Sequence, residues 1–446
     1  MTAPFEAAFA PFAEKMAAAS LPEIAIRNFR QHYAELYEGR TGLIPEDTIM
    51  PVETLPDAEN LPPELAGVGR AALARTVMLK LNGGLGTGMG LEKAKSLLVV
   101  KEGLTFLDII ARQALETGVP LVLMNSSYTR DDSLEALRRY PALWGEIPLD
   151  FAQHMVPKVD AATQGPAAWS QEPELEWCPP GHGDIYPSLV SSGMLATLLE
   201  AGYEHLFTSN ADNLGAVIDV SILGYFAAQQ LPFMMEVADR TEADQKGGHL
   251  AGRPEGGYLL RETAQCPPDD LEAFQDVARH RYFNTNNLWI SLRALAGMMA
   301  RNGGVLDLPT IQNRKTIDPR DRASSPVIQL ETAMGAAIAL FAGAGALRVP
   351  RTRFAPVKTT NDLLGVRSDA YLLTEDWRVM LDPRRGGEPP VVDLDPRYYR
   401  LVDDFEARFP YGPPSLVACE RLTVRGDVVF GPGVVCRGEV EIEGAI

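Results

Sequence analysis

Lys80-Leu81-Asn82-Gly83-Gly84-Leu85-Gly86-Thr87-Gly88-Met89-Gly90 places five glycines within eight positions, with Lys93, Lys95 and Ser96 just beyond. Glycine permits positive φ and close approach of the backbone to a neighbour. Successive N–H groups in such a turn form a concavity that binds anions, and the phosphates of a nucleotide are its usual tenants. Two familiar phosphate loops fail on counting. A P-loop needs Gly directly before Lys-Ser, and here Ala94 stands there. The dinucleotide fingerprint ends on Met89 when counted from Gly84, and on Leu91 when counted from Gly86. A tight turn with no ligand is the bland alternative, but a mere turn rarely needs so many glycines.

Two further patterns carry chemistry. Asp212 follows the apolar run that ends at Asn210, and Mg²⁺ favours few carboxylates supplemented by water and substrate phosphates. The competing reading makes Asp212 the N-cap of a following helix. Asn284-Thr285-Asn286-Asn287 offers convergent polar side chains for a hydroxyl-rich ligand, and a period of two sends Asn284 and Asn286 to one face. Its bland reading, a turn, is undercut by the apolar run Leu288 to Leu292. Lys95 stands within reach of a phosphate held by the glycine loop.

The glycine loop resembles the signature of the UTP–glucose-1-phosphate uridylyltransferases of the eukaryotic type. Further blocks resemble that family in the same order: Pro179-Pro180-Gly181-His182-Gly183-Asp184, Ser209-Asn210-Ala211-Asp212-Asn213-Leu214-Gly215 and Asn284-Thr285-Asn286-Asn287-Leu288-Trp289. Gln329-Leu330-Glu331-Thr332-Ala333 and Arg353-Phe354-Ala355-Pro356-Val357-Lys358-Thr359-Thr360 follow. The likeness runs from about Lys80 to Tyr371. It implies Lys95 and Lys358 as the catalytic lysines. It implies nucleotide contacts at Leu81, Asn82, Gly83, Gly84, Gly86, Thr87, Met89 and Gly90. Gln153, Gly181, His182, Asn210 and Asp212 complete that set. Sugar contacts fall at Asn213, Gly248, Asn284, Asn286 and Glu331, beside Lys246-Gly247. Asp212 is the implied Mg²⁺ ligand, and Asp184 reads as structural. The chain departs from the commoner family form at Leu91 and Ala94, where Cys and Pro are frequent, at Lys93, and at Phe151-Ala152-Gln153-His154, where Phe-Asn-Gln-Ser is commoner.

The implied reaction is Mg²⁺-dependent uridylyl transfer, in which UTP and glucose 1-phosphate give UDP-glucose and pyrophosphate. Another sugar 1-phosphate, of galactose or an N-acetylhexosamine, is the second enzymatic reading. A silent nucleotide-sugar-binding protein is the third, and retention of both lysines speaks against it.

The elements that must position these residues follow from the rest of the chain. From Thr76 onward, strands at Thr76–Leu81, Pro120–Asn125, His205–Asn210 and Pro232–Val237 alternate with helices near Phe106–Glu116, Ser133–Tyr140, Tyr186–Glu200 and Val217–Gln230. That alternation argues for an α/β layered sheet, whose ligands lie beyond the carboxyl ends of the strands. The glycine loop and the Asn210–Asn213 block both follow strands and so share one crevice. Residues 1–40 read as helices, and Pro45 to Pro63 as a linker. The resemblance implies a Rossmann-like, GT-A-like mixed sheet flanked by helices. The glycine–valine rhythm of Leu422 to Ile446 suggests a short β-solenoid, of left-handed type by the same resemblance, with a hairpin as alternative. The expected division is 1–63 helical segment and linker, 64–384 catalytic domain, and 385–446 C-terminal domain with the solenoid.

At 446 residues and a net charge of −18, the composition argues against nucleic acid or an anionic membrane as partner. It requires local lysines, backbone N–H groups and a cation to hold a polyanion. Cys178, Cys266, Cys419 and Cys436 form no metal-ligand spacing and read as reduced. With no signal sequence and no bilayer-length apolar run, the cytoplasm is expected. A monomer is favoured, with an end-to-end dimer through the tail as alternative.

Overall fold

The computed structural model describes residues 2–444. The chain groups into two compact units, each assembled from separate stretches. The first comprises Met1–Val77, Phe151–Thr208 and Val220–Val349; the second comprises Met78–Asp150, Ser209–Asp219 and Pro350–Ile446.

In the first unit, the Tyr282–Ser291 strand runs antiparallel to His205–Asn210 on one side and to Phe233–Asp239 on the other. Phe233–Asp239 is in turn parallel to Gly345–Arg348. His249–Gly252 joins at His249 opposite Phe283 and pairs antiparallel with Tyr258–Arg261. The sheet is therefore mixed, and its two central strands are buried on both faces along nearly their whole length, with Glu236 and the asparagines of Asn284–Asn287 among otherwise mostly apolar residues. A second antiparallel sheet orders Ile311–Thr316, Pro326–Glu331 and Val159–Asp160. The N-terminal helices Ala3–Ala18 and Glu23–Tyr37 bury Phe5, Phe9, Phe12, Phe29 and Tyr33 against Val156, Val159, Ile328 and Leu330. The helices Leu65–Ala72 and Val220–Ala228 cross at Gly69 and Gly224, where a Cβ would lie 1.7 Å from the Val220 carbonyl oxygen and 1.9 Å from that of Leu65.

In the second unit, the Thr76–Asn82 strand pairs in parallel with Leu121–Asn125, from Met78 opposite Leu121 to Asn82 opposite Asn125. The Phe106–Thr117 helix lies between them in sequence. A Thr105–Asp108 capping box starts this helix and left-handed Gly118 ends it, as capping preferences dictate.

Several expected boundaries moved. Tyr186–Glu200 is two helices, Ile185–Ser191 and Met194–Glu200, because Gly193 at φ +78° breaks the run. The helix expected at Ser133–Tyr140 spans Arg130–Leu137, and that expected at Val217–Gln230 spans Val220–Ala228. The Pro45–Pro63 linker is fixed at Met50 opposite Gly252 and at Asp57 opposite Arg348. The tail forms a parallel sheet of Val391–Leu394, Ser415–Arg425 and Val435–Glu443. Parallel register excludes the hairpin alternative, and the three strands form one sheet in the order in which they occur along the chain. Ala445 and Ile446, the last of the rhythmic stretch, lie outside the described residues.

Candidate functional site

Of the expected site residues, the second unit gathers those on the phosphate side. Beyond Asn82 the chain turns through Gly86 at φ +70° and Gly90 at φ +77°, conformations costly for any residue with a Cβ. At Gly90 a Cβ would also meet Leu401 at 3.1 Å. Gly84 and Gly88 differ: a Cβ there would meet nothing within 4 Å, so these glycines keep an open face clear. Leu81 and Asn82 end the strand, while Thr87 and Met89 form a single turn whose Met89 side chain is buried. Asn82 is fixed from below, donating to Asn125 Oδ1 at 2.7 Å and Ser133 Oγ at 2.8 Å.

The loop folds back so that the Lys95 N–H reaches the Gly84 carbonyl at 3.1 Å. Lys95 Nζ then donates to Asp212 Oδ2 at 2.6 Å. Asp212 Oδ1 is buried and has no hydrogen-bond partner among the described residues. The Ala211 N–H donates to the Leu81 carbonyl at 3.1 Å, so the two post-strand loops do meet. Lys358 approaches along the main chain: the Val357 N–H donates to the Asp212 carbonyl at 3.2 Å, and Asn213 bridges Pro356. Asp362 Oδ2 accepts the N–H groups of Lys358 at 2.8 Å and Thr359 at 2.7 Å, which locks the start of the Thr360–Arg367 helix. The Lys358 side chain itself is exposed, 5.9 Å above the Phe354 ring.

Asp212 is not a helix N-cap, because the next helix begins only at Val220. Asn213, expected at the sugar, is 1% exposed. Its amide donates to the Arg353 carbonyl at 3.0 Å, and its Oδ1 accepts from Gly215 at 3.2 Å and Ala355 at 3.1 Å. The side chain staples two loops and is turned away from solvent. Asn210 ends its strand half-buried, with its carbonyl bonded to the Asn213 N–H at 3.2 Å.

The first unit holds the remaining candidates. Gly181 sits at φ +79°, and a Cβ there would lie 2.5 Å from the Thr332 carbonyl oxygen. The Gly183 N–H donates to that oxygen at 2.9 Å, and the Thr332 N–H to the Pro180 carbonyl at 2.9 Å. His182 Nδ1 accepts the Met334 N–H at 2.9 Å. Burial pushes its pKa down to about 4, so the ring is neutral at pH 7 and carries its hydrogen on Nε2. Gln153 is half-buried just after the Asp150–Ala152 strand.

Asn284 and Asn286 do not alternate as a regular strand would. The register shifts opposite Glu236 and Val237, and Asn286 sits at φ +58°. This bulge breaks the period of two, yet Asn284 Nδ2 still donates to Asn286 Oδ1 at 2.9 Å. A left-handed asparagine inside a strand stores strain of the kind found at ligand sites. Gly248 accepts the Asn284 N–H at 3.0 Å, and a Cβ at Gly248 would strike Glu262. Glu331 ends the Pro326–Glu331 strand; burial pushes its carboxyl pKa up, against the pull of Asn313 and Lys315.

Two supporting residues escaped the sequence reading. Lys80 is fully buried and donates to Ser209 Oγ and the Ala216 carbonyl, both at 2.7 Å, tying the strand before the glycine loop to the loop carrying Asp212. Glu236 is also fully buried, beneath the asparagine bulge. It accepts from Asn287 Nδ2 at 3.0 Å and Trp289 Nε1 at 2.9 Å, and its carbonyl accepts from Thr285 Oγ1 at 2.6 Å. The available signal was a lone charge inside an apolar strand, Leu79-Lys80-Leu81 and Met235-Glu236-Val237, since such residues are rarely buried unless engaged.

Residues 26–437 match the family of UTP–glucose-1-phosphate uridylyltransferases. A probable UTP–glucose-1-phosphate uridylyltransferase of Schizosaccharomyces pombe is 41% identical over 387 residues, covering 85% of this chain and 75% of that one. The UTP–glucose-1-phosphate uridylyltransferase of Hordeum vulgare is 40% identical over 404 residues, covering 89% and 82%. Among solved structures, a UDP-glucose pyrophosphorylase variant from Leishmania major in complex with UDP-glucose superposes with a TM-score of 0.91 at 47% identity, covering 98% of this chain and 95% of that one.

Proposed function

Since the chain belongs to the UTP–glucose-1-phosphate uridylyltransferase family, we propose that it transfers the uridylyl group of UTP to glucose 1-phosphate, giving UDP-glucose and pyrophosphate. The observation that carries the reading is the meeting of an open glycine turn, Lys95 and Asp212 in one place. A phosphate oxygen of the sugar phosphate attacks the α-phosphorus of UTP in line. The bond from that phosphorus to the bridging oxygen breaks, and its electron pair leaves with pyrophosphate. Nothing need be protonated, so catalysis is positioning and charge neutralisation. Lys95 exchanges Asp212 for a phosphate oxygen, and Lys358 supplies the second positive charge. Leu81 to Gly90 and Asn210 receive the nucleotide phosphates and ribose, while Gln153, Gly181 and His182 read the uracil. Gly248, Asn284, Asn286 and Glu331 hold the hexose, with Asn213 acting through its main chain.

A divalent cation suits this chemistry. The orphaned, buried Asp212 Oδ1 offers an anionic ligand, and no cluster of three or more metal-binding side chains exists among the described residues. That donor set fits Mg²⁺, which takes few protein ligands. When bound, Mg²⁺ neutralises phosphate charge as a Lewis acid.

The finer architecture belongs to the same proposal. We read the mixed sheet as GT-A-like, residues 64–384 as the catalytic domain behind the helical segment 1–63, and 385–446 as a C-terminal domain. The nine-residue link between its last two parallel strands is a rudimentary solenoid coil. A cytoplasmic monomer fits the reading; no helix among the described residues is long and apolar enough to cross a membrane. Incubating the purified chain with UTP, MgCl₂ and a panel of sugar 1-phosphates tests the substrate. Glucose 1-phosphate should be converted fastest, and preference for galactose 1-phosphate or an N-acetylhexosamine 1-phosphate would replace the assignment.

A further inference from the structure

Apart from the residues assigned to the nucleotide and sugar, Asp184, His154 and Ser191 form one hydrogen-bonded line within the first unit. Asp184 Oδ1 lies 2.9 Å from His154 Nδ1, and the other ring nitrogen, Nε2, lies 2.9 Å from Ser191 Oγ. Asp184 is 1% exposed, and its Oδ2 accepts the main-chain N–H of His154 at 2.7 Å and the Ser188 hydroxyl at 2.7 Å. These bonds fix the carboxylate and settle the tautomer. Nδ1 faces acceptors alone: the carboxylate, and the Ser188 oxygen at 3.1 Å, whose hydrogen is already given to Asp184. Nδ1 therefore carries the ring hydrogen, and in the neutral ring Nε2 presents a lone pair to the Ser191 hydroxyl. The competing acceptor for that hydroxyl, the Ser188 carbonyl, is farther away at 3.4 Å. His154 also stands where the commoner family form has serine, so that form does not supply this line.

Ser191 is exposed, whereas His154 and Asp184 are buried behind it. Ser191 lines an open cavity of about 530 Å³ together with Ile24, Val190, Leu195, Leu199 and Met299. Small-molecule sites have this size and this apolar character. The one charged residue of the described lining, Arg27, disfavours a cationic ligand. A hydroxyl within hydrogen-bond reach of a base that a third group orients is the arrangement that activates a serine nucleophile, and it is recognised by geometry whatever the chain order. We propose that Ser191, His154 and Asp184 hydrolyse neutral carboxylic esters whose apolar acyl chain occupies this cavity, an activity separate from uridylyl transfer. The Ser191 oxygen bonds to the ester carbonyl carbon as its proton passes to His154 Nε2. The bond from that carbon to the alcohol oxygen breaks, and the alcohol leaves with the proton. Water then attacks the acyl carbon and gives a proton to Nε2, while the Ser191 oxygen leaves and recovers it. The sum is ester and water to acid and alcohol. Asp184 is a positioning residue, acting through His154.

Hydrolysis of p-nitrophenyl acetate and p-nitrophenyl butyrate by the full chain, by Ser191→Ala and by His154→Ala tests it, with covalent capture by a fluorophosphonate located by peptide mass spectrometry. In each variant kcat/KM for the butyrate ester should fall by about a hundredfold or more, the scale on which a positioned general base contributes. Ser191→Ala should make UDP-glucose at the wild-type rate. The butyrate ester should exceed the acetate ester by about tenfold in kcat/KM, because two further methylenes enter the apolar cavity. The fluorophosphonate should attach to Ser191 in the wild type and about a hundredfold more slowly in His154→Ala. Equal hydrolysis by the wild type and Ser191→Ala, or an adduct on any residue but Ser191, overturns the proposal. A butyrate ester no better than the acetate ester overturns the cavity as the acyl site, and loss of UDP-glucose formation in Ser191→Ala overturns the separateness of the two activities. Should His154→Ala fail to fold by circular dichroism, the exposed Ser191→Ala decides alone.

Discussion

Lys95 and Asp212 form a half-buried pair, with side chains 16% and 22% exposed. Each is expected to serve a different partner once a triphosphate arrives. Lys95→Ala and Lys358→Ala should each lower turnover by about a hundredfold, the loss of a preorganised charge of about 3 kcal/mol at the transition state. Binding of the uracil base should change little. Retention of a third of wild-type turnover by either variant at saturating substrate would remove that residue from the mechanism. Asp212→Asn exchanges an anionic ligand for a neutral one, so the Mg²⁺ concentration for half-maximal rate should rise in a folded variant. An unchanged Mg²⁺ requirement would make Asp212 merely the partner of Lys95. Legibility at this scale was uneven. The meeting of the glycine loop, Lys95 and Asp212 was readable because both loops follow apolar strands of one α/β layer, whose carboxyl ends lie side by side. The loss of the Asn213 side chain to Arg353, Gly215 and Ala355 was not, since an amide's partners depend on loops distant in sequence.

At the scale of elements, the strands His205–Asn210 and Thr76–Asn82 were legible in their apolar runs, and the helix expected near Phe106–Glu116 spans Phe106–Thr117. The asparagine bulge was not, because alternation predicts a regular strand unless the partner's register is known. The Leu65–Ala72 and Val220–Ala228 helices were illegible in another way. Their closest approach depends on Gly69 and Gly224 meeting, and only the fold brings these together. Backbone carbonyls bound both positions, so a side chain cannot be accommodated by a rotamer change. Gly69→Ala and Gly224→Ala should each destabilise the protein by about 1–3 kcal/mol, the usual cost of overpacking. Chemical denaturation checks this; a midpoint equal to the wild type's would mean the helices separate freely.

For the whole molecule, acid should be destabilising in a defined window. Burial pushes the pKa values of His32 and His182 down to about 4 and that of His249 to about 2. Unfolded histidine takes up a proton near pH 6.5 while these folded rings do not. Stability is therefore fully present above pH 6.5 and falls as pH drops toward 4, continuing toward 2 for His249. For the deeply buried His32 the loss is on the order of 3 kcal/mol. Glu331, whose carboxyl pKa is raised by burial, acts in the opposite sense but is one group against three. Melting temperatures measured from pH 8 to pH 4.5 should be level at first and then decline below pH 6.5; a rise on acidification would mean these rings are not enclosed. Light scattering should give a mass near 48.6 kDa across a dilution series. A concentration-independent mass several times larger would replace the monomer with an assembly. The tail's single parallel sheet was only half legible: glycine and valine rhythm marks turns and strands, but the number of faces depends on how the chain returns.

The most direct test follows the phosphorus atoms. UTP labelled at the α-phosphorus should pass its label into UDP-glucose when glucose 1-phosphate and MgCl₂ are present, and UTP labelled at the γ-phosphorus should pass its label into pyrophosphate. The two products should form in equal amounts, with no label retained on the protein. Absence of α-label from UDP-glucose, or α-label held covalently by the chain, would contradict direct in-line transfer by Lys95, Lys358 and the glycine loop.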